Sequence, residues 1–140
     1  MPPIKDLLIV WRELNRTEIP IIDEQHRGIV SIINSVHHAI GSKKDILILE
    51  PATETLMAYS RIHFATESEL LEESKYPHLE NHNKLHDKLI KDMTKNFIDS
   101  KKERDPGIML GFLKDWWLNH INKEDMLYKK HLLDYLGLSK

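Results

Sequence analysis

The chain has 140 residues, a size suited to one domain, and its 41% hydrophobic and 30% charged residues describe a globular fold rather than a disordered one. Twenty Lys and Arg against 22 Asp and Glu leave a net charge of −2, too little positive charge for nucleic acid or an anionic membrane surface as the main partner. The absence of cysteine excludes disulfides, iron–sulfur clusters, thiolate zinc sites and cysteine nucleophiles. No apolar run approaches the ~20 residues that span a bilayer, and no leader peptide is legible, so membrane insertion is not expected and the cytoplasm is.

A single domain over 1–140 is expected to be all-α: an antiparallel up-down-up-down four-helix bundle over about 21–130. An N-terminal arm (1–20), without sustained periodicity, lies across it, and a short tail (131–140) follows. The first helix runs from about Ile22 to Ile40, with Ile22, Ile29, Ile33 and Val36 on one stripe and Gly41 as its C-cap. The second opens at Pro51, a residue suited to the first helical position, carries Leu56, Tyr59, Phe64 and Leu71, and stops at Tyr76-Pro77. The third spans about Leu79 to Asp99. The fourth starts at Asp105-Pro106, an N-cap followed by proline, and carries Leu110, Leu113, Trp117, Ile121 and Tyr128. A short tail helix, His131 to Leu136, follows. The short connections make neighbouring helices antiparallel.

Nine histidines are unevenly placed on this frame. His26 falls on the inward stripe of the first helix. His63 and Glu67 are four apart on the second, and His82 and His86 are four apart on the third, so each pair shares a helix face. His120 follows Trp117 by three on the fourth. Asp125, five beyond His120, is rotated away from it by about 140° in an α-helix and must reach back to join it. Singly, each inward His is an ordinary core residue. Together they bring five imidazoles and two carboxylates from four helices to similar depth, where the same groups without a cation would be buried polar atoms in need of partners. Seven ligands exceed one tetrahedral zinc but suit two octahedral ions sharing bridging carboxylates. Nitrogen and oxygen donors without sulfur favour iron or manganese, iron first. His37, His38, His78 and His131 read as surface groups.

The run Ile22-Asp23-Glu24-Gln25-His26, with His63-x-x-x-Glu67, His82-x-x-x-His86 and His120-x-x-x-x-Asp125, resembles the hemerythrin family, and in particular its bacterial single-domain members, over nearly the whole chain. That resemblance implies a non-haem di-iron centre with an oxo or hydroxo bridge. One iron is held by His82, His86 and His120, the other by His26 and His63, with Glu67 and Asp125 bridging. It also implies reversible dioxygen binding at the open position of the two-His iron, for carriage, storage or delivery. Phe64, Trp116, Trp117 and Ile121 flank the ligand positions in sequence and are candidates for the apolar wall of the ligand pocket. Trp117 stands where the family more often has an aliphatic, which narrows access. Tyr128 matches a family tyrosine suited to holding a bridging carboxylate.

No catalytic residue is assigned, and the chain is read as a binding protein rather than an enzyme. Its length leaves no room for an appended output domain. The alternatives are a di-iron enzyme reducing oxygen, peroxide or nitric oxide, and an oxygen or redox sensor. Nitric oxide and other small anions are further candidate ligands, and nothing in the sequence names a redox partner.

Overall fold

The computed structural model describes residues 7–40 and 45–139, with the backbone alone for 45–48; the expected cap at Gly41 lies outside the described residues. Four rods form the bundle. They are α1 (Pro20–Ile40), α2 (Asp45–Glu73), α3 (Leu79–Glu103) and a fourth rod that begins as α4 (Pro106–Trp116). Each packs on the next, and α4 returns to α1, closing the ring. No strand occurs among the described residues, and none of their helices is long and apolar enough to cross a membrane.

Local chemistry explains most boundaries. The Asp105 carboxylate accepts a hydrogen bond from Gly107 N (2.9 Å) with Pro106 in the first turn of α4, as the sequence predicts. α3 runs a turn beyond Asp99, until Arg104 adopts a left-handed conformation (φ 52°) and Asp105 N bonds back to Ser100 O at 3.0 Å. α2 departs from expectation at its start. It begins at Asp45, so Pro51 lies inside the helix and forfeits a backbone bond, a loss of about 3 kcal/mol in a helix interior. Pro51 faces solvent while Leu49 is buried in the core, so packing holds the preceding turn helical against the local signal.

The fourth rod departs further. It continues unbroken through a π-helical segment, Trp117–Glu124, and a 3-10 turn, Asp125–Tyr128, into α5 (Lys129–Tyr135). The expected short tail helix is α5, which continues this rod. His131, expected on the surface, is partly buried, and its Nε2 bonds Ser74 O at 2.9 Å just beyond the end of α2. His38 and His78 are exposed, and His37 is half-buried.

The arm lies along the bundle. Asn34 clips it by accepting from Ile9 N and donating to Ile9 O, both at 2.9 Å. A 3-10 turn, Glu13–Asn15, ties to the π segment through Asn15 Nδ2 donating to Asn122 Oδ1 (2.8 Å). The Asp23 carboxylate then accepts from Thr17 N (2.7 Å), Thr17 Oγ1 (2.8 Å) and Glu18 N (3.1 Å), fixing the entry to α1. α1 and α2 approach so closely that a Cβ on Gly28 would fall 2.6 Å from Tyr59 Oη.

The interior is two apolar clusters. One contains Ile29, Ile33, Leu56, Phe64, Leu89, Met93, Leu113 and Ile121; the other contains Ile19, Ile22, Leu71, Tyr128, Leu132 and Leu133. On α1, α2 and the fourth rod, the buried residues between members of the two clusters are polar, His26, Glu67 and Asp125 among them.

Candidate metal centre

All seven expected donors meet in that polar band. His26, His63, Glu67 and Asp125 are fully buried, and His82, His86 and His120 are nearly so. Their ligand atoms form two overlapping sets, each within 4.8 Å: Glu67, His82, His86, His120 and Asp125 in one, and His26, His63, Glu67 and Asp125 in the other. The two carboxylates belong to both. The sets divide the imidazoles three and two with Glu67 and Asp125 common to both, the division that the resemblance implies.

The π segment resolves the spacing problem on the fourth rod. In it, Asp125 N bonds to His120 O, a five-residue step that brings residues five apart onto one face. His120 Nε2 accordingly lies 3.1 Å from Asp125 Oδ1, without the reach-back that α-helical geometry demands.

The side chains present fit a pair of cations. Five Nε2 atoms turn inward, with His26 Nε2 3.2 Å from His63 Nε2 and 3.0 Å from Asp125 Oδ2. His82 Nε2 is 3.2 Å, and His86 Nε2 3.8 Å, from the Glu67 carboxylate. His63 Nδ1 faces the Gln25 side-chain oxygen at 2.8 Å, and Gln25 Nε2 donates to Thr66 Oγ1 at 3.0 Å, so the ring's proton sits on Nδ1. The His63 Nε2 lone pair then points at Glu67 Oε1, 2.5 Å away. Two lone pairs at that distance require a positive charge between them, a proton or a metal ion. Glu67 Oε1, His86 Nε2, His120 Nε2 and Asp125 Oδ1 are buried, face other donor atoms of the cluster and make no hydrogen bond of ordinary geometry, the condition expected of atoms kept for coordination. Sequence reasoning missed Gln25: it precedes His26 by one residue, but nothing in the spacing links it to His63.

Among the side chains alone the electrostatics are strongly divided. Burial works against a charged His63, but the Glu67 carboxylate and hydrogen bonds to Asp125 and Glu67 outweigh it and raise its pKa from 6.5 to about 10. Burial and Asp125 push Glu67 upward, yet the His63 charge and the bonds from His63 and His82 win, lowering it from 4.5 to about 2. Asp125, despite its burial, is held well below 3.8, first by His120. His86 goes the other way: burial, reinforced by His82 and His120, lowers it to about 3. Such opposed shifts within one buried cluster mark a functional site.

The structure divides the four expected pocket residues. Trp117 stands edge-on to His26, ring centroids 6.3 Å apart. Phe64 stacks on His86 (3.9 Å, 12°), and Trp116 packs edge-on against Phe64 at 6.2 Å. Ile121 is buried in the same apolar cluster. Tyr128, fully buried, lies against His82 at 5.6 Å; burial first, then the nearby Glu67 and Asp125 charges, hold its phenol well above 10.

Comparison with known proteins points to one family. Residues 17–132 match the hemerythrin family through its HHE cation binding domain. The chain is 35% identical over 121 residues to a bacteriohemerythrin of Pseudomonas aeruginosa (strain LESB58), covering 86% of this chain and 78% of that protein. It is 32% identical over 131 residues to a bacteriohemerythrin of Stenotrophomonas maltophilia (strain R551-3), covering 93% and 85%. A crystal structure of a hemerythrin carrying a leucine-to-alanine substitution superposes with a TM-score of 0.76 at 27% identity, over 91% of this chain and 98% of that one.

Proposed function

Since the chain belongs to the hemerythrin family, we propose that it holds two iron ions and binds dioxygen reversibly, as a carrier, store or delivery protein rather than an enzyme. The observation that carries this reading is the pair of overlapping donor sets sharing Glu67 and Asp125. His82, His86 and His120 serve one ion, and His26 and His63 the other. The second ion thus receives one protein ligand fewer and keeps a position open for a small molecule. When bound, the ions supply the electrons that dioxygen takes up and gives back.

The chain's own part is to place and protect them. Gln25 holds His63 with its Nε2 turned inward. Trp117, nearly fully buried beside His26, excludes water from the two-His side, and Phe64, Trp116 and Ile121 continue the apolar wall. Excluding water and protons keeps the ligand exchange reversible. Tyr128 backs the Glu67 side of the centre.

The test is metal analysis with anaerobic reduction, admission of air and removal of gas under argon. Two irons per chain and a visible charge-transfer band that appears and vanishes over repeated cycles support the reading. Immediate bleaching with continued oxygen consumption indicates a reductase instead. Fewer than two irons overturns the ligand assignment.

A further inference from the structure

From the ring contacts outside the ligand set, we propose that Tyr128 and Tyr76 form a route by which oxidising equivalents leave the metal centre for the surface, with hydrogen peroxide as the oxidant. This rests on the di-iron reading above. The Tyr128 ring touches the donor His82 at 5.6 Å and Tyr76 at 6.5 Å, both within the ~4.5–7 Å of contacting aromatic pairs. Tyr128 is fully buried, whereas Tyr76 is half-exposed and lines a surface pocket of about 300 Å³ with His78 and Glu124. The pair therefore runs from a metal-ligand position to water through two phenols and no gap.

A second aromatic pair starts at the other half of the site, from His26 through Trp117 to Trp11 (6.3 and 5.9 Å). Charge decides between them. The Arg27 guanidinium lies over the Trp11 ring at 5.1 Å and opposes removal of an electron from it. Tyr76 instead shares its surface pocket with the Glu124 carboxylate, a negative charge that favours electron loss there.

The step balances within one chain. The O–O bond of hydrogen peroxide breaks and two waters form. The two electrons and two protons required come one of each from the Tyr128 and Tyr76 phenols, leaving two phenoxyl radicals. A two-electron, two-proton donor such as ascorbate restores both phenols and spares the imidazoles and indoles around the ions.

The test is freeze-quench electron paramagnetic resonance of the iron-loaded protein after hydrogen peroxide, with wild type, Tyr76→Phe, Tyr128→Phe and Trp11→Phe each checked for iron content. Wild type is expected to give a tyrosyl signal that ascorbate erases. Tyr128→Phe is expected to lose it. Tyr76→Phe leaves one phenol, so with ascorbate giving the second electron and proton it is expected to keep a signal on buried Tyr128 that ascorbate erases more slowly. Should Tyr128→Phe fail to load, the ascorbate response of Tyr76→Phe decides alone. With two irons bound, no tyrosyl signal in wild type, a signal indifferent to both Tyr variants, or an indole radical lost in Trp11→Phe overturns the route. Failure to bind two irons overturns the di-iron reading instead.

Discussion

His63 shows what a single contact does at this site. Its ring is aimed by the Gln25 amide oxygen at 2.8 Å, and Gln25 is itself fixed by Thr66. Gln25→Leu keeps the bulk and removes the acceptor, so the His63 ring is free to rotate. The expected result is iron affinity weakened about 10–100-fold in the two-His half, with the three-His half unaffected, read by chelator competition. Trp117→Leu removes the ring that stands against His26. On the dioxygen reading its expected effect is faster ligand release, measured by stopped-flow dissociation; an unchanged rate takes Trp117 out of the access path. The donors were legible because a spacing of four on α2 and α3 makes a shared helix face a geometric necessity, and α1 and the fourth rod each add an inward histidine. Gln25 was not, because its acceptor role depends on which rod α1 packs against.

At the scale of elements, the entry to α1 hangs on Asp23. Its carboxylate gathers Thr17 N, Thr17 Oγ1 and Glu18 N in a buried corner, at 2.7 to 3.1 Å. Asp23→Ala leaves these donors unpaired and is expected to lower stability by about 2–4 kcal/mol, seen as a lower denaturant midpoint at unchanged slope. The arm that Asp23 anchors is where the sequence said least. Its contacts to Asn34 and Asn122 are single long-range bonds with no periodicity to betray them. The π segment was not legible: the step of five from His120 to Asp125 is reconciled with an α-helix by a reach-back, whereas the chain widens the turn instead. Pro51 misled because a helix start is a good local reason for proline, and the burial of Leu49 that overrides it is a tertiary fact.

For the whole molecule, the divided charges make stability depend on pH and on metal together. The contribution of His63, raised to about 10, is complete below 6.5 and is lost as pH climbs from 6.5 to 10. His86, lowered to about 3, contributes above 6.5 and loses that contribution as pH falls toward 3. Glu67, lowered to about 2, adds a further loss below 4.5. Metal-stripped protein is therefore expected to be most stable near pH 6.5 and to weaken on both sides. Ions that hold the imidazoles neutral remove the alkaline decline, so the loaded protein is expected to keep a flat plateau above 6.5. Denaturant midpoints across pH, with and without chelator, check this. The bundle itself was plain from periodicity and short connections; its division into two apolar clusters with a polar band between them was not, since one stripe of hydrophobic spacing reads the same whether the core is continuous or split.

The wider turn after Trp116 has a consequence at a distance. A π step advances the chain by one more residue per hydrogen-bonded loop than an α step, so everything beyond Asp125 is dialled to a new bearing relative to α4. On that bearing Tyr128, Leu132 and Leu133 meet Ile19, Ile22 and Leu71. The same extra residue that lines up two donors thus also seats the far end of the rod, so straightening the turn turns the second cluster away from its partners.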